Sequence, residues 1–423
     1  MNPHDPYAAF RAREFRLFMI GSFLVQIGAG AQSVAVGWEV YRRTDNAFAL
    51  GLTGLVQAVP MILLTLPAGY LADAFNRRAL IAVSMVGSAI ASVGLAVASL
   101  REAPVSAMYL VLFLDSVFVT MARPARLAIL PTLVPRSIFE NAMSWRISIQ
   151  QISGVTGPAV GGLLASVSMP MVYIVAAGTT LLFVVAVSLL AARQDRPAER
   201  SPSLRTVLMG ARFAWRQRLL LTTMLLDLFA VLLGGAVYLL PVYARDILAC
   251  GEQGLGWLRA APAVGSLCMA MLLAHLPPMR RAGRNLLLAV AGFGLATIVF
   301  GLSRTFWLSW AMLFLTGLFN NVSVVVRHTL QQLLTPDEMR GRVSAVTSIF
   351  ISSSNELGGF ESGLVARIFS PVVSVVSGGI GTLCVVAITA FASRPLRRFG
   401  SMTAVEAAAA PESRPKGRRQ AEA

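Results

Sequence analysis

Residues 47–78 read AFALGLTGLVQAVPMILLTLPAGYLADAFNRR: from Ala47 to Ala72 there is no charged side chain, and then Asp73, Arg77 and Arg78 arrive together. About 20 consecutive apolar residues cross the hydrocarbon of a bilayer, so this stretch has the length and composition of a membrane-spanning helix that ends in a charged turn. Outward from it, long apolar runs recur from Leu17 to Ala392, separated by short arginine-bearing connections. They predict twelve spans, at 17–40, 48–71, 79–100, 106–123, 145–167, 170–192, 219–241, 254–276, 285–303, 306–326, 343–366 and 371–392. The expected fold class is therefore an all-α membrane protein.

Composition agrees. The 423 residues are 56% hydrophobic and 13% charged, where a soluble chain carries roughly a quarter charged residues. The net charge of +16 comes in small clusters between apolar spans, which argues against a nucleic-acid partner. With the N-terminus in the cytoplasm, only Arg42, Arg43, Arg101, Arg245, Arg304 and Arg367 fall outside, and Arg146 and Arg259 lie in or at the edge of spans. The other basic residues fall inside, the bias that orients bacterial membrane proteins, and it predicts both termini in the cytoplasm and a multi-pass protein of the inner membrane. The first fifteen residues, with Arg11, Arg13 and Glu14, are too polar for a cleaved signal peptide. Cys250, Cys268 and Cys384 are scattered without metal-ligand spacing, and neither a disulfide nor a metal is expected. No phosphate-binding loop, His-x-x-x-His pair or nucleophile elbow stands in a suitable context, so the sequence supports neither an enzyme nor an intrinsic ATP motor, and no cofactor is expected.

The chain divides near its middle. Residues 193–218, with Pro197, Pro202 and seven arginines, read as a cytoplasmic linker between a bundle at 17–192 and another at 219–395; 1–16 is a cytoplasmic N-terminal segment and 396–423 a disordered tail. A shift of 201 positions pairs Pro135 with Pro336, Arg126 with Arg327, Gly157 with Gly358, Gly162 with Gly363 and Ala165 with Ala366, which argues for two duplicated six-helix halves.

Gly69, Tyr70, Leu71, Ala72, Asp73, Ala74, Phe75, Asn76, Arg77 and Arg78 match the G-x-L-A-D-x-x-x-R-R signature, and the chain here resembles the major facilitator superfamily. Gly154, Gly157, Pro158, Gly161 and Gly162 resemble the G-x-x-G-P-x-x-G-G antiporter motif of exporters in that superfamily. Ala125-Arg126, Leu130-Pro131-x-Leu133-Val134-Pro135, Leu226-Asp227-Leu228-Phe229 and Arg340-Gly341-Arg342-Val343 through Ser354-Asn355-Glu356-Leu357 are similar to its enterobactin-exporter-like branch, the transmembrane secretion effectors. The sequence departs from the pattern at Asp115, where many drug antiporters carry a buried arginine, and at Pro278, Arg280, Arg281 and Arg284, which lack the acid of the first-half signature. The resemblance implies two six-helix bundles around a central cavity, alternating access, and a gating role for Gly69, Asp73, Arg77 and Arg78 that locks the cytoplasmic side in one state.

Several side chains ask for a partner in the membrane. A stripe of Gly154, Gly157 and Gly161 lets two helix backbones approach, with a bend at Pro158, and the exporter reading makes this a tight contact between halves. An acid costs about 2.5–3.5 kcal/mol at a helix centre, so Glu39, Asp115, Asp227, Glu356 and Glu361 should face a cavity or a partner. The resemblance places helices 1, 4 and 7 on the cavity, which makes Asp115 and Asp227, with Glu39, the candidates for proton coupling. Glu356 beside Asn355, and Glu361, read as structural. Arg259 needs a carboxylate or a substrate anion, and Glu361 lies at a comparable depth. The expected function is export of a small amphipathic molecule, a siderophore, drug or metabolite, by proton antiport from a monomer in the lipid bilayer. The alternatives are an importer or lipid flippase on the same fold, or a non-transporting sensor or scaffold.

Overall fold

The computed structural model describes residues 5–190, 204–234, 236–277, 279 and 281–399. The N-terminal four residues, the first part of the expected linker and the tail beyond 399 lie outside them. After a 3-10 turn at Ala8–Arg11, the first half consists of α1 (Arg13–Thr44), α2 (Ala47–Ala74), α3 (Arg77–Leu100), α4 (Val105–Ile129), α5 (Phe139–Ala165) and α6 (Met169–Ser188). A short helix, α7 (Leu204–Arg216), occupies part of the expected linker, and its Ala214 packs with Val343 and Val346. The second half has α8 (Arg218–Leu233), α9 (Leu240–Val242), α10 (Gly251–His275), α11 (Ala282–Leu302), α12 (Phe306–Leu334), α13 (Asp337–Ile368), α14 (Pro371–Ala392) and the short α15 (Arg394–Arg398).

A long helical element therefore stands at each of the twelve expected spans. Ten are apolar and long enough to cross a membrane. The other two, α5 and α13, have the length, 27 and 32 residues, but carry more polar and charged side chains. Several helices outrun the expected spans, because hydropathy marks only the hydrocarbon while intrahelical hydrogen bonds continue past it. Thus α4 runs on to Ile129 and α12 to Leu334, and Arg126 and Arg327, expected in connections, stand on helices. The seventh span departs most: α8 ends at Leu233, and the chain proceeds through a 3-10 turn at Ala236–Leu239, α9 and a wide turn at Tyr243–Ile247.

Local chemistry sets the ends. Asn46 accepts a hydrogen bond from the Phe48 N–H, and Asn76 from those of Arg78 and Ala79, so α2 and α3 begin on capping asparagines. Asp45, at φ 47°, closes α1 in the left-handed region that lets the chain reverse within two residues. Pro60, Pro67, Pro124, Pro158 and Pro262 lie inside helices, which membrane helices tolerate when neighbours satisfy the freed carbonyls.

Within the first half α1 packs on α5 and α6, α3 on α4 and α6, and α2 on α4; within the second, α12 packs on α10 and α11, α14 on α11 and α8, and α13 on α8. Two main contacts join the halves, α2 against α13 and α5 against α10. These are the second helix of each half against the fifth of the other, as an internal two-fold repeat requires. A Cβ added to Gly162 would lie 2.7 Å from the Gly256 Cα, and one added to Gly363 2.8 Å from the Gly51 Cα, so the backbones touch at both crossings. Gly162 and Gly363 are a pair under the 201-residue shift, and they do the same work in the two crossings.

We call the end of the bundle where α1 starts and α14 finishes the tail end, and the opposite end, with the Asp45 turn, the far end. At the far end one apolar cluster includes both halves, with Val36, Trp38 and Tyr41 beside Leu239, Leu240 and Tyr243. Toward the tail end the buried clusters separate, one confined to the first half around Phe15, Ile81 and Phe183, and two to the second around Leu286 and Val343. Among the described residues, the buried apolar clusters join the halves at the far end and stay within each half toward the tail end.

Candidate functional site

Between the halves lies a cavity of about 380 Å³. Its wall comes from α1 (Ala29, Gln32, Ser33, Val36, Gly37), α2 (Leu50, Thr53, Gln57, Met61), α4 (Leu112, Asp115, Ser116, Val119, Thr120, Arg123), Tyr238 and Pro241 after the break in the seventh span, Arg259 of α10 and Glu356 of α13. Apolar and hydrogen-bonding side chains alternate around it, which suits a ligand with both characters.

Asp115 of α4 is held by two neighbouring helices. Its carboxylate accepts from the Gln32 amide of α1 at 3.2 Å and from the Ser88 hydroxyl of α3, while Ser92 donates to the Gln32 side-chain oxygen at 2.8 Å. Among the described residues no cation stands at ion-pair distance from Asp115. The same carboxylate lines a second cavity of about 90 Å³, shared with Gln26 and Arg126. Arg126 lies over the Phe183 ring at 4.7 Å.

Asp227 is placed differently. It forms an ion pair with Arg327 of α12, the two side chains only 8% and 12% exposed, at a narrow crevice away from the central cavity. Glu39 is fully buried in a knot of α1, α3 and α6, paired with Arg43 and accepting from Ser99 and Tyr173 at 2.7 Å each. Arg43 also donates to the Ala103 carbonyl, which ties the α3–α4 turn to α1. Of the three acids singled out for coupling, the cavity holds Asp115.

Glu356 faces the cavity and accepts from the Tyr238 hydroxyl at 2.6 Å, and the neighbouring Asn355 donates to the Ile351 carbonyl. Arg259 does not pair with Glu361. It crosses from α10 to α1, donating to the Ser33 hydroxyl at 2.6 Å and to the Ser33 carbonyl at 3.3 Å. Equal depth was a poor guide, because α10 packs on α5 and α12 while α13 packs on α2 and α8; Glu361 accepts a long contact from Ser362 at 3.4 Å.

The motif at the end of α2 ties the tail end of the first half together. Asp73 stands 3.9 Å from Arg77, Arg77 donates to the Ala128 carbonyl at 3.1 Å, and Arg78 donates to the Leu190 carbonyl. Both arginines thus meet the carbonyl ends of helices, α4 and α6, where a cation is favoured. Beside Gly69 there is open space. The glycines of α5 split between two neighbours. Gly157 and Gly161 lie against α1, where a Cβ on Gly161 would meet the Ala31 Cα at 2.6 Å, whereas Gly154 and Gly162 face α10 across the halves. The single stripe expected from the sequence therefore serves packing within the first half as well as contact between halves, with Pro158 buried at the junction.

The far end carries a latch that sequence reading passed over. Arg245 pairs with Asp45 at 2.5 Å, Tyr41 hydrogen-bonds Asp246, and Gln253 donates to Ser166 at 3.1 Å, each joining one half to the other. Arg245 had been counted only as a loop charge; its neighbour Asp246 and the acid in the Asp45 turn were the available signal. Gln32, Ser33 and Tyr238 were also missed, since a neutral polar residue in an apolar span gives little warning of its partner.

Residues 18–359 match the family model described as Major Facilitator Superfamily. Two similar relatives, described as Enterobactin exporter EntS from Escherichia coli O1:K1 / APEC and from Escherichia fergusonii, are each 27% identical over 387 residues, covering 91% of this chain and 93% of theirs. Among solved structures, a POT family transporter in complex with 5-aminolevulinic acid has a TM-score of 0.71 at 11% identity, covering 92% of this chain and 97% of that one. A bacterial homolog to the human lysosomal transporter Spinster, inward-facing and occupied, has 0.69 at 15%, covering 94% and 100%. The nucleoside transporter NupG has 0.69 at 14%, covering 91% and 99%. These last three likenesses concern the fold. The family match over most of the length, the apolar spans and the twelve-helix fold converge: this chain belongs to the Major Facilitator Superfamily, and is a multi-pass membrane transporter.

Proposed function

We propose that the protein exports a small amphipathic molecule across the inner membrane in exchange for protons, working as a monomer with the tail end in the cytoplasm. The orientation is supported by the concentration of arginine at the tail end. The observation that carries the exchange reading is Asp115: a carboxylate on the cavity wall, mid-way along α4, engaged among the described residues by the neutral donors Gln32 and Ser88. Such a group can give up its proton to the open tail end and take one from the far end without breaking an ion pair. Cargo enters from the tail end, the halves rock about the two glycine crossings, and cargo leaves as a proton returns to Asp115. Breaking the Asp45–Arg245 and Tyr41–Asp246 contacts opens the far end as the tail end closes.

Asp227 with Arg327 and Glu39 with Arg43 hold helices in register on this reading, and Asn355 and Glu361 are structural. The relatives described as Enterobactin exporter support the outward direction and put siderophores first among the cargo classes, ahead of drugs and other metabolites. The direct test compares cellular accumulation of a panel of siderophores and amphipathic drugs with and without the protein. Lower accumulation with it, abolished by a protonophore, supports export; higher accumulation points to uptake, and an unchanged panel contradicts export of these cargo classes.

A further inference from the structure

Arg259 is a cation in the membrane whose described hydrogen bonds both go to one neutral residue, Ser33. A guanidinium has five N–H donors in a planar fork, so donors remain for something else, and the residue lines the cavity. The nearby acid, Glu356, is not its ion-pair partner among the described residues and is engaged by the Tyr238 hydroxyl at 2.6 Å. Gly37 lies beside the fork: a Cβ there would stand 3.8 Å from the Arg259 Nη1 and 3.2 Å from the Pro241 Cγ. The same cavity wall carries the apolar Val36, Leu50 and Pro241 together with Tyr238 and the acid Glu356, whose charge Arg259 feels.

We propose that the cargo is an amphipathic anion whose carboxylate docks on Arg259 in place of Ser33, with its apolar body against α1 and α2. A planar carboxylate matches the fork bidentately, and replacing a neutral hydroxyl by an anion strengthens each hydrogen bond. Because Ser33 belongs to one half and Arg259 to the other, docking also removes a tie between the halves, so recognition loosens the closed far end. The proposal rests on the export reading for its direction only.

The test is thermal unfolding of the purified full-length protein in nanodiscs, titrated with 2-naphthoate, its methyl ester and 2-naphthylmethylammonium. Naphthoate is expected to stabilise the wild type at a concentration about tenfold lower than the ester, with the ammonium weakest. Arg259→Gln should erase that preference, Arg259→Lys should keep part of it, and Ser33→Ala should keep it and bind naphthoate more tightly, since the hydroxyl no longer competes for the fork and only the Ser33 carbonyl remains. Equal binding of acid and ester, preference for the ammonium, a preference that survives Arg259→Gln, or no binding by any member overturns the proposal. Anion binding without transport would remove the export reading and leave this one standing; export of cations or neutral compounds at wild-type rate by Arg259→Gln would do the reverse.

Discussion

Gln32 of α1 donates to the Asp115 carboxylate of α4 at 3.2 Å, and through Ser88 and Ser92 of α3 the same pair is tied to a third helix. A carboxylate held by amide and hydroxyl groups keeps its place whether or not it carries a proton, because each donor can bond either form. Asp227 has the opposite setting, with a cation as its partner. The two acids looked equivalent in sequence, and their partners assign them different work.

The Asp227–Arg327 pair is nearly buried, so removing one member strands the other. Asp227→Asn is expected to cost about 3–5 kcal/mol, seen as a lower unfolding temperature and less protein in the membrane. The double variant with Arg327→Gln should recover much of that loss. Full stability of the single variant would show that the pair contributes little.

The fold was legible because lipid imposes a simple rule, that an apolar run crossing it becomes helical: a helical element stands at each expected run, ten of them apolar and long enough to cross a membrane, with the seventh broken after Leu233. The 201-residue shift went further, since Gly162 and Gly363 do occupy matching crossings against Gly256 and Gly51. Of the site, sequence could name acids and arginines but not their partners. Arg259 was matched to Glu361 by depth, whereas rotation about the helix axis sends it to Ser33, and depth carries no information on rotation. Tyr238 owes its position to the break after α8, which Gly234-Gly235 marks in the sequence but which hydropathy alone runs straight through. Asp45 and Arg245 lie 200 residues apart, so only the packing of the halves could join them.

The Gly162–Gly256 crossing has no room for a side chain. Gly162→Val should push α5 from α10 at the far end and favour the state open there. With Cys250, Cys268 and Cys384 replaced by serine, a cysteine at Thr53 should react several-fold faster with an impermeant maleimide added from the far side. An unchanged or slower rate would mean that this crossing does not set the closed state.

The Asp45–Arg245 pair is partly solvated, its side chains 72% and 34% exposed, and a pair of that kind contributes at most about 1 kcal/mol. Asp45→Asn should therefore raise the same labelling rate by up to about fivefold, less at high salt, where the wild-type pair is itself screened. A rate unaffected at low salt would leave the seal to the apolar cluster and Tyr41–Asp246.

On the proposed mechanism, Asp115 is the residue that exchanges protons for cargo. The most direct measurement uses everted vesicles with an acid interior, comparing wild type with Asp115→Asn at equal membrane amounts for a panel compound. We predict accumulation by the wild type, its collapse with a protonophore, and a loss of tenfold or more in Asp115→Asn, about 1.4 kcal/mol or more in the driving step. Accumulation equally strong in Asp115→Asn and indifferent to the protonophore, or none of any compound by the wild type, would contradict it.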